Sequence, residues 1–174
     1  LCWLQRGSYG DGTLVNAPAD RKLYVLKYDA DGAFLGGFPF SMDPQGVSML
    51  MFKFVRNHST GHFYVAGYMD PSRESTSFGS VVATKSMYLA AFNADGTFRW
   101  MRESTLVTNV GRGFNDIKLD ASGNIYLAGG TLDDETFNGN PFPVTTSRQF
   151  PFLMKLDPNG NTIWTTNAST GALC

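Results

Sequence analysis

Cysteine is scarce in this chain. There are two in 174 residues, Cys2 and Cys174, one at each extremity. Two thiols are too few for a disulfide framework and too few for a zinc site. A bridge between them is possible, two unpaired thiols are the plainer reading, and the redox compartment stays open. Charge is also sparse: Asp, Glu, Lys and Arg together make 17% of the residues, and the net charge is −1. No basic stripe exists to neutralise phosphates, which excludes a nucleic-acid surface and argues against anionic membranes. No apolar run is long enough to cross a bilayer as a helix, and the longest, around 47–55, is interrupted by Ser48 and Lys53. No signal peptide is visible, and the chain begins with Leu1 in what reads as a strand, so a processed or truncated end is expected.

What the chain does have is glycine, with 19 residues, and aromatics, with 14 Phe and 7 Tyr. Turn formers between short aromatic-rich stretches indicate an all-β protein. The dominant signal is an internal repeat. Leu23-Tyr-Val-Leu-Lys-Tyr-Asp-Ala-Asp-Gly32, Met87-Tyr-Leu-Ala-Ala-Phe-Asn-Ala-Asp-Gly96 and Pro151-Phe-Leu-Met-Lys-Leu-Asp-Pro-Asn-Gly160 align at intervals of 64 residues. Trp100 and Trp164 follow the second and third copies, where the first has Gly36. Between the copies, Thr60-Gly-His-Phe-Tyr-Val-Ala-Gly67 matches Ser122-Gly-Asn-Ile-Tyr-Leu-Ala-Gly129, and residues 1–7 fit the same slot less well, with Gly7 in the place of Gly67.

Each period reads as four strands. In the last they are Asn115–Asp120, Asn124–Thr131, Phe150–Asp157 and Asn161–Asn167, joined in pairs by the turns Asp120-Ala-Ser-Gly123 and Asp157-Pro-Asn-Gly160. Asp bonds its own turn backbone, Pro presets φ, and Gly accepts a positive φ. The middle connections, Leu132–Gln149 and Met69–Lys85, read as loops and are the expected place for any specific function. Along Phe152-Leu-Met-Lys-Leu156 and Tyr24-Val-Leu-Lys-Tyr28, apolar residues fall on both faces, which requires a sheet covered on both sides. The expected fold is therefore an all-β partial propeller of four-stranded antiparallel blades, about 2.75 of them, short of the usual 4–8. Its divisions are a partial blade over 1–45, a complete blade over 46–109, and a complete blade with a lead-in to the next over 110–174. The chain is read as a fragment of a larger protein or a subunit that closes by assembly.

The segments 113–130 and 152–160, with Trp164 and the loop pair Phe142-Pro143, resemble the bacterial beta-propeller repeat family called SBBP, over nearly the whole chain. The resemblance implies a secreted or surface-exposed bacterial protein whose repeats serve as scaffold or interaction modules, and it brings no catalytic residues. Quinone-dependent propellers usually carry one more turn residue than the copies here. Sialidase-type Asp boxes separate Asp from Gly, whereas Asp95-Gly96 are adjacent.

The polar candidates are few. Asp29-Ala-Asp31-Gly and Asp157-Pro-Asn159-Gly offer two side chains each, too few for calcium, and read as hairpin turns. Asp133, Asp134 and Glu135 read as solvated surface. His58 and His62 flank a turn and offer two metal ligands without a third. Trp3, Trp100 and Trp164 could stack on a sugar or quinone, but Trp100 and Trp164 read as packing between blades. Asn57-His-Ser59 and Asn167-Ala-Ser169 are glycosylation sequons only if the host glycosylates them. No catalytic, cofactor or metal site is assigned. The expected function is a non-enzymatic extracellular or cell-surface scaffold or protein- or glycan-binding module. Its partners would be other blades or other chains. The alternative is part of a propeller enzyme, a glycan hydrolase or lyase, or less favourably a quinone-dependent dehydrogenase, with its active residues outside this segment.

Overall fold

The computed structural model describes residues 2–4, 7–9, 13–15, 22–45, 52–71, 75–105, 113–131, 135–142 and 150–167. All of its regular elements are strands. In chain order they are β1 (Cys2–Leu4), β2 (Gly7–Tyr9), β3 (Thr13–Val15), β4 (Lys22–Tyr28), β5 (Phe34–Pro39) and β6 (Asp43–Gln45); then β7 (Phe52–Arg56), β8 (Phe63–Tyr68), β9 (Ser75–Phe78), β10 (Val81–Ala83), β11 (Met87–Phe92) and β12 (Phe98–Glu103); then β13 (Gly113–Leu119), β14 (Ile125–Thr131), β15 (Thr136–Phe137), β16 (Asn140–Pro141), β17 (Phe150–Leu156) and β18 (Thr162–Asn167).

The repeat forms three like units. Two are four-stranded antiparallel sheets, in the orders β7-β8-β11-β12 and β13-β14-β17-β18, and the first is a three-stranded sheet, β1-β4-β5. The strands of the last unit fall within two residues of the sequence expectation. Turn chemistry explains why they end there. In the hairpins after β4, β11 and β17, the glycines Gly32, Gly96 and Gly160 have φ of 85°, 84° and 81°. Each is a tight turn in which only glycine adopts that φ without strain. The register then shifts by one residue at Leu35, Arg99 and Ile163, three residues beyond each glycine.

The first unit departs from the sequence reading in register. Cys2, not Gly7, pairs with Tyr24, as Gly67 pairs with Tyr88 and Gly129 with Phe152. Gly7 lies in β2, which pairs with β3 in a hairpin inserted between β1 and β4. The middle connections are likewise not plain loops. β9 and β10 form a hairpin in one, β15 and β16 in the other. The hairpins exist because each has a turn and an apolar anchor. Gly79, with φ 61°, turns the first, and Phe78 is buried. Asn138 and Gly139, with φ of 50° and 75°, turn the second, and Phe137 is buried. Paired positive φ values are what a two-residue hairpin turn of this type needs.

The core lies between the units. Period-two alternation sends Tyr64, Ala66, Met87, Leu89 and Ala91 of the middle sheet to one face, where they meet Phe114, Ile117, Ile125, Leu127, Phe152, Met154 and Leu156 of the last. The other face carries Phe63, Val65, Tyr88, Ala90 and Phe92, which meet Val25 of β4 and Phe40 and Met42 just after β5. The middle sheet is thus covered on both sides, and the apolar residues on both faces of its strands follow from that. Backbone pairs also cross between units. β6, which follows the last strand of the first unit, pairs with β9 of the second. Ser104, which follows β12, bridges to Phe137 in β15 of the third. Among the described residues no helix is long and apolar enough to cross a membrane.

Candidate functional site

The chemistry-bearing residues divide between hairpin turns and the seams between units. In the turns, carboxylate and amide oxygens are bound to backbone. Asp29 Oδ1 accepts from the Asp31 and Ala33 amides at 3.0 and 2.8 Å, and Asp157 Oδ1 accepts from those of Asn159 and Asn161, both at 2.8 Å. Asp120 Oδ1 accepts from the Ser122 and Asn124 amides at 3.0 and 2.9 Å. Asn57, the first residue of a sequon, uses Oδ1 the same way toward Ser59 and Thr60. Asp95 Oδ1 accepts from the Thr97 amide and hydroxyl, which accounts for the Asp-Gly-Thr run as turn chemistry. At the two calcium-like sequences, Asp29 Oδ1 and both Asp157 oxygens are therefore engaged in the turns themselves.

Asp120 has more around it. The Asn124 side-chain amide donates to Oδ2 at 2.9 Å, and Lys155 Nζ stands 3.1 Å from the same oxygen. Together with the backbone donor they hold this carboxyl at about 2. Lys155 also lies over the Tyr126 ring, 4.9 Å from its centroid, and its pKa is raised by Tyr126 and Asp120. Asp157 is pushed up by burial, but its bonds from Asn161 and the Asn159 amide, with the Arg102 charge, outweigh this and keep it low.

The two histidines differ in their surroundings. His58 is exposed in the turn. His62 Nδ1 lies 3.0 Å from the Arg99 guanidinium. Arg99 can only donate, so Nδ1 accepts and the proton of the neutral ring sits on Nε2. Burial, and then the Arg99 charge, lower the His62 pKa. Arg99 reaches the Tyr64 hydroxyl as well, where burial dominates and raises the phenol pKa. Glu135, expected at a solvated surface, is buried, and accepts the Thr131 hydroxyl on Oε2 at 2.6 Å. It is buried because its neighbours Phe137 and Phe142 anchor the inserted hairpin in the core. Asp133 and Asp134 lie outside the described residues, as do Pro143, Ser169, Cys174 and the side chains of Cys2 and Trp3. Among the described residues no three of His, Cys, Asp and Glu are grouped to hold a metal ion.

The seams hold the arrangement that repeats. Trp100 on β12 faces the last unit, and a Cβ on Gly160 would come within 2.8 Å of its ring. The turn Asp157–Gly160 is thus seated on the indole. Arg102 lies 4.9 Å over the same ring and donates to the Asn159 carbonyl at 2.9 Å, and Asn138 Nδ2 donates to the Gly160 carbonyl at 3.1 Å. Trp100 also contacts Tyr64, with ring centroids 6.1 Å apart. One unit earlier, the turn at Gly96 rests on Phe38: a Cβ there would meet the Phe38 ring at 2.8 Å, and the Ser41 amide donates to the Gly96 carbonyl at 3.0 Å. Phe38 fills the role of Trp100 because Gly36, which stands in the Trp position, offers no ring. Phe38 is two residues on and shares its face of the strand. That spacing is the sequence signal that would have found it. Trp164 keeps the Trp100 geometry within its own sheet, lying 6.0 Å from Tyr126, yet is 38% exposed.

What this constellation can do chemically is bind by apolar contact, ring stacking and turn recognition. Compared with known families and curated proteins, the chain matches no family model and no curated sequence.

Proposed function

We propose that the chain is a run of β-propeller blades of the bacterial SBBP kind, serving as a non-enzymatic extracellular or cell-surface scaffold that engages protein or glycan partners. The observation that carries this reading is how adjacent sheets approach. β13 lies against β7 and β8, the first two strands of the sheet before it. At the other edge the gap is filled by Trp100 and Arg102. Sheets close at their first strands and wedged apart by large side chains at their last are what a radial array of blades requires. The inserted hairpins support the recognition role. The β9–β10 and β15–β16 hairpins differ in sequence, are anchored by Phe78 and Phe137, and β10 exposes Val81 and Val82.

The test is binding with product analysis. Purified chain is presented to an immobilised glycan panel, and the bound glycans are recovered and sized. Retention of intact glycans, lost in a Val81→Asp/Val82→Asp variant that still folds, supports the reading. Shortened or oxidised glycans produced by the purified chain overturn it in favour of an enzyme.

A further inference from the structure

Asparagine precedes glycine at two places in the chain, Asn138-Gly139 and Asn159-Gly160. The pair carries its own chemistry. Glycine has no side chain to shield its amide nitrogen, so that nitrogen can reach the side-chain carbonyl carbon of the asparagine before it. The fold brings the two pairs together at the outer seam between the second and third units, and it holds them differently. Asn138 is fastened. Its amide donates to the Glu103 carbonyl at 3.0 Å, its Nδ2 donates to the Gly160 carbonyl at 3.1 Å, and its own carbonyl accepts from Asn140 Nδ2 at 3.0 Å.

Asn159 is exposed, and its side-chain amide makes no hydrogen bond among the described residues. The exposure does not come from its place in the third unit. Asp95, the matching residue of the middle unit, is exposed as well, with the next sheet packed against that unit. The Asn159 main-chain carbonyl is the one that accepts from Arg102, at 2.9 Å. One contact opposes reaction here: the Gly160 amide donates to the Asp157 carbonyl at 3.0 Å, and that bond must open first.

We infer that Asn159 is a site of spontaneous deamidation, directed by Arg102 toward isoaspartate, and that its conversion releases Asn138 for the same reaction. The Gly160 nitrogen gives its proton to solvent base and attacks Asn159 Cγ. The Cγ–Nδ2 bond breaks, ammonia leaves, and a succinimide ring is closed. Water then adds to one of the two ring carbonyls. The one made from the Asn159 main chain faces the Arg102 guanidinium, which polarises it and pairs with the carboxylate that forms. Opening there leaves the main chain running through Cγ, which is isoaspartate. One amide and one water become one carboxylate and one ammonia, with no change of oxidation state. The main chain gains a methylene just before Gly160, which already lies against the Trp100 ring. Gly160 is displaced from that ring, and its carbonyl from Asn138 Nδ2.

The experiment is ageing of the purified 174-residue chain in mildly alkaline, heavy-oxygen water. Proteolytic peptides are mapped by mass, and isoaspartate is told from aspartate by electron-transfer fragmentation. In the folded chain Asn159 is expected to convert about tenfold or more faster than Asn138, because the bonds that fasten Asn138 must open first. In urea the two should convert at similar rates, which assigns the order to the fold. Asn159→Ser, which cannot form the ring, should keep Asn138 as the amide for longer than wild type does. Arg102→Gln should lower the isoaspartate share at Asn159 in native buffer and leave it unchanged in urea. Asn138 converting first or as fast as Asn159 in the folded wild type overturns the proposal. So does an isoaspartate share that Arg102→Gln does not move in native buffer, or an Asn138 rate that Asn159→Ser does not slow.

Discussion

The Tyr88 ring lies on Gly67, its direct cross-strand partner, in the space where any larger side chain would begin. The last unit repeats the relation: Phe152 pairs with Gly129, and a Cβ there would come within 2.9 Å of the Phe152 ring. Glycine is costly in a strand. Here it lets an aromatic ring fold flat across the sheet, which also covers the backbone that glycine leaves bare.

Gly67→Ala is therefore expected to be destabilising by about 1–3 kcal/mol through overpacking. Combined with Tyr88→Ala, which vacates the space, the change should cost far less than the sum of the two singles. Urea denaturation of the four-member mutant cycle measures this coupling.

Gly160 and Gly32 separate backbone strain from contact. Their φ values are 81° and 85°, so alanine at either suffers similar strain, about 1–2 kcal/mol. Only Gly160 has a ring against it. Gly160→Ala should be the more destabilising, and the difference between the two variants, read from chemical denaturation at low protein concentration, reports the seat.

Trp100→Ala removes a partly buried ring that joins two units, and is expected to lower stability by about 2–4 kcal/mol. Trp100→Phe should recover much of this, because the indole N–H is buried without an acceptor and its loss breaks no hydrogen bond. Trp164→Ala should cost less than Trp100→Ala, since the Trp164 ring is 38% exposed. Thermal melts of the three variants check the order.

Asp120 sets an acid limit. Its pKa falls on folding from 3.8 to about 2. Between those values the unfolded chain binds more protons than the folded one. Its contribution is thus present above about pH 4 and lost as pH falls toward 2. Asp120→Asn should remove that part of the acid dependence, and the carboxyl resonance of Asp120 should titrate near 2 by NMR.

His62 acts in the same direction at higher pH. Its folded pKa is lowered below 6.5, so the folded state prefers the neutral ring. Stability is full above the unfolded value and declines as pH drops below it. Arg99→Gln removes the second cause of the lowering, and should move the His62 titration, followed by its ring protons, upward.

The period, the strand boundaries of the last unit and the two-sided burial were legible because they rest on local chemistry. Asp-x-x-Gly turns and alternate apolar residues act at short range, and Gly32, Gly96 and Gly160 adopt nearly one conformation. The inserted hairpins were less legible. Ser-rich composition reads as loop, yet Gly79-Ser80 and Asn138-Gly139 are turn signals, each next to a Phe that becomes buried. Strands of two to four residues are too short to show alternation. Gly7 was misplaced because a glycine was sought opposite Tyr24, where register puts Cys2. That Trp100 packs between units was legible from its place in the repeat; that Gly160 is what rests on it depends on two sheets meeting, which the repeat spacing does not encode.

The pairing of β6 with β9, and of Ser104 with Phe137, means that neighbouring units share main-chain hydrogen bonds as well as greasy surfaces. Peeling one unit from the next must break a strip of ladder along with the side-chain contacts. Such a seam tolerates many exchanges of individual side chains, since its amide bonds ask only for register, and it couples the melting of each unit to that of its neighbour.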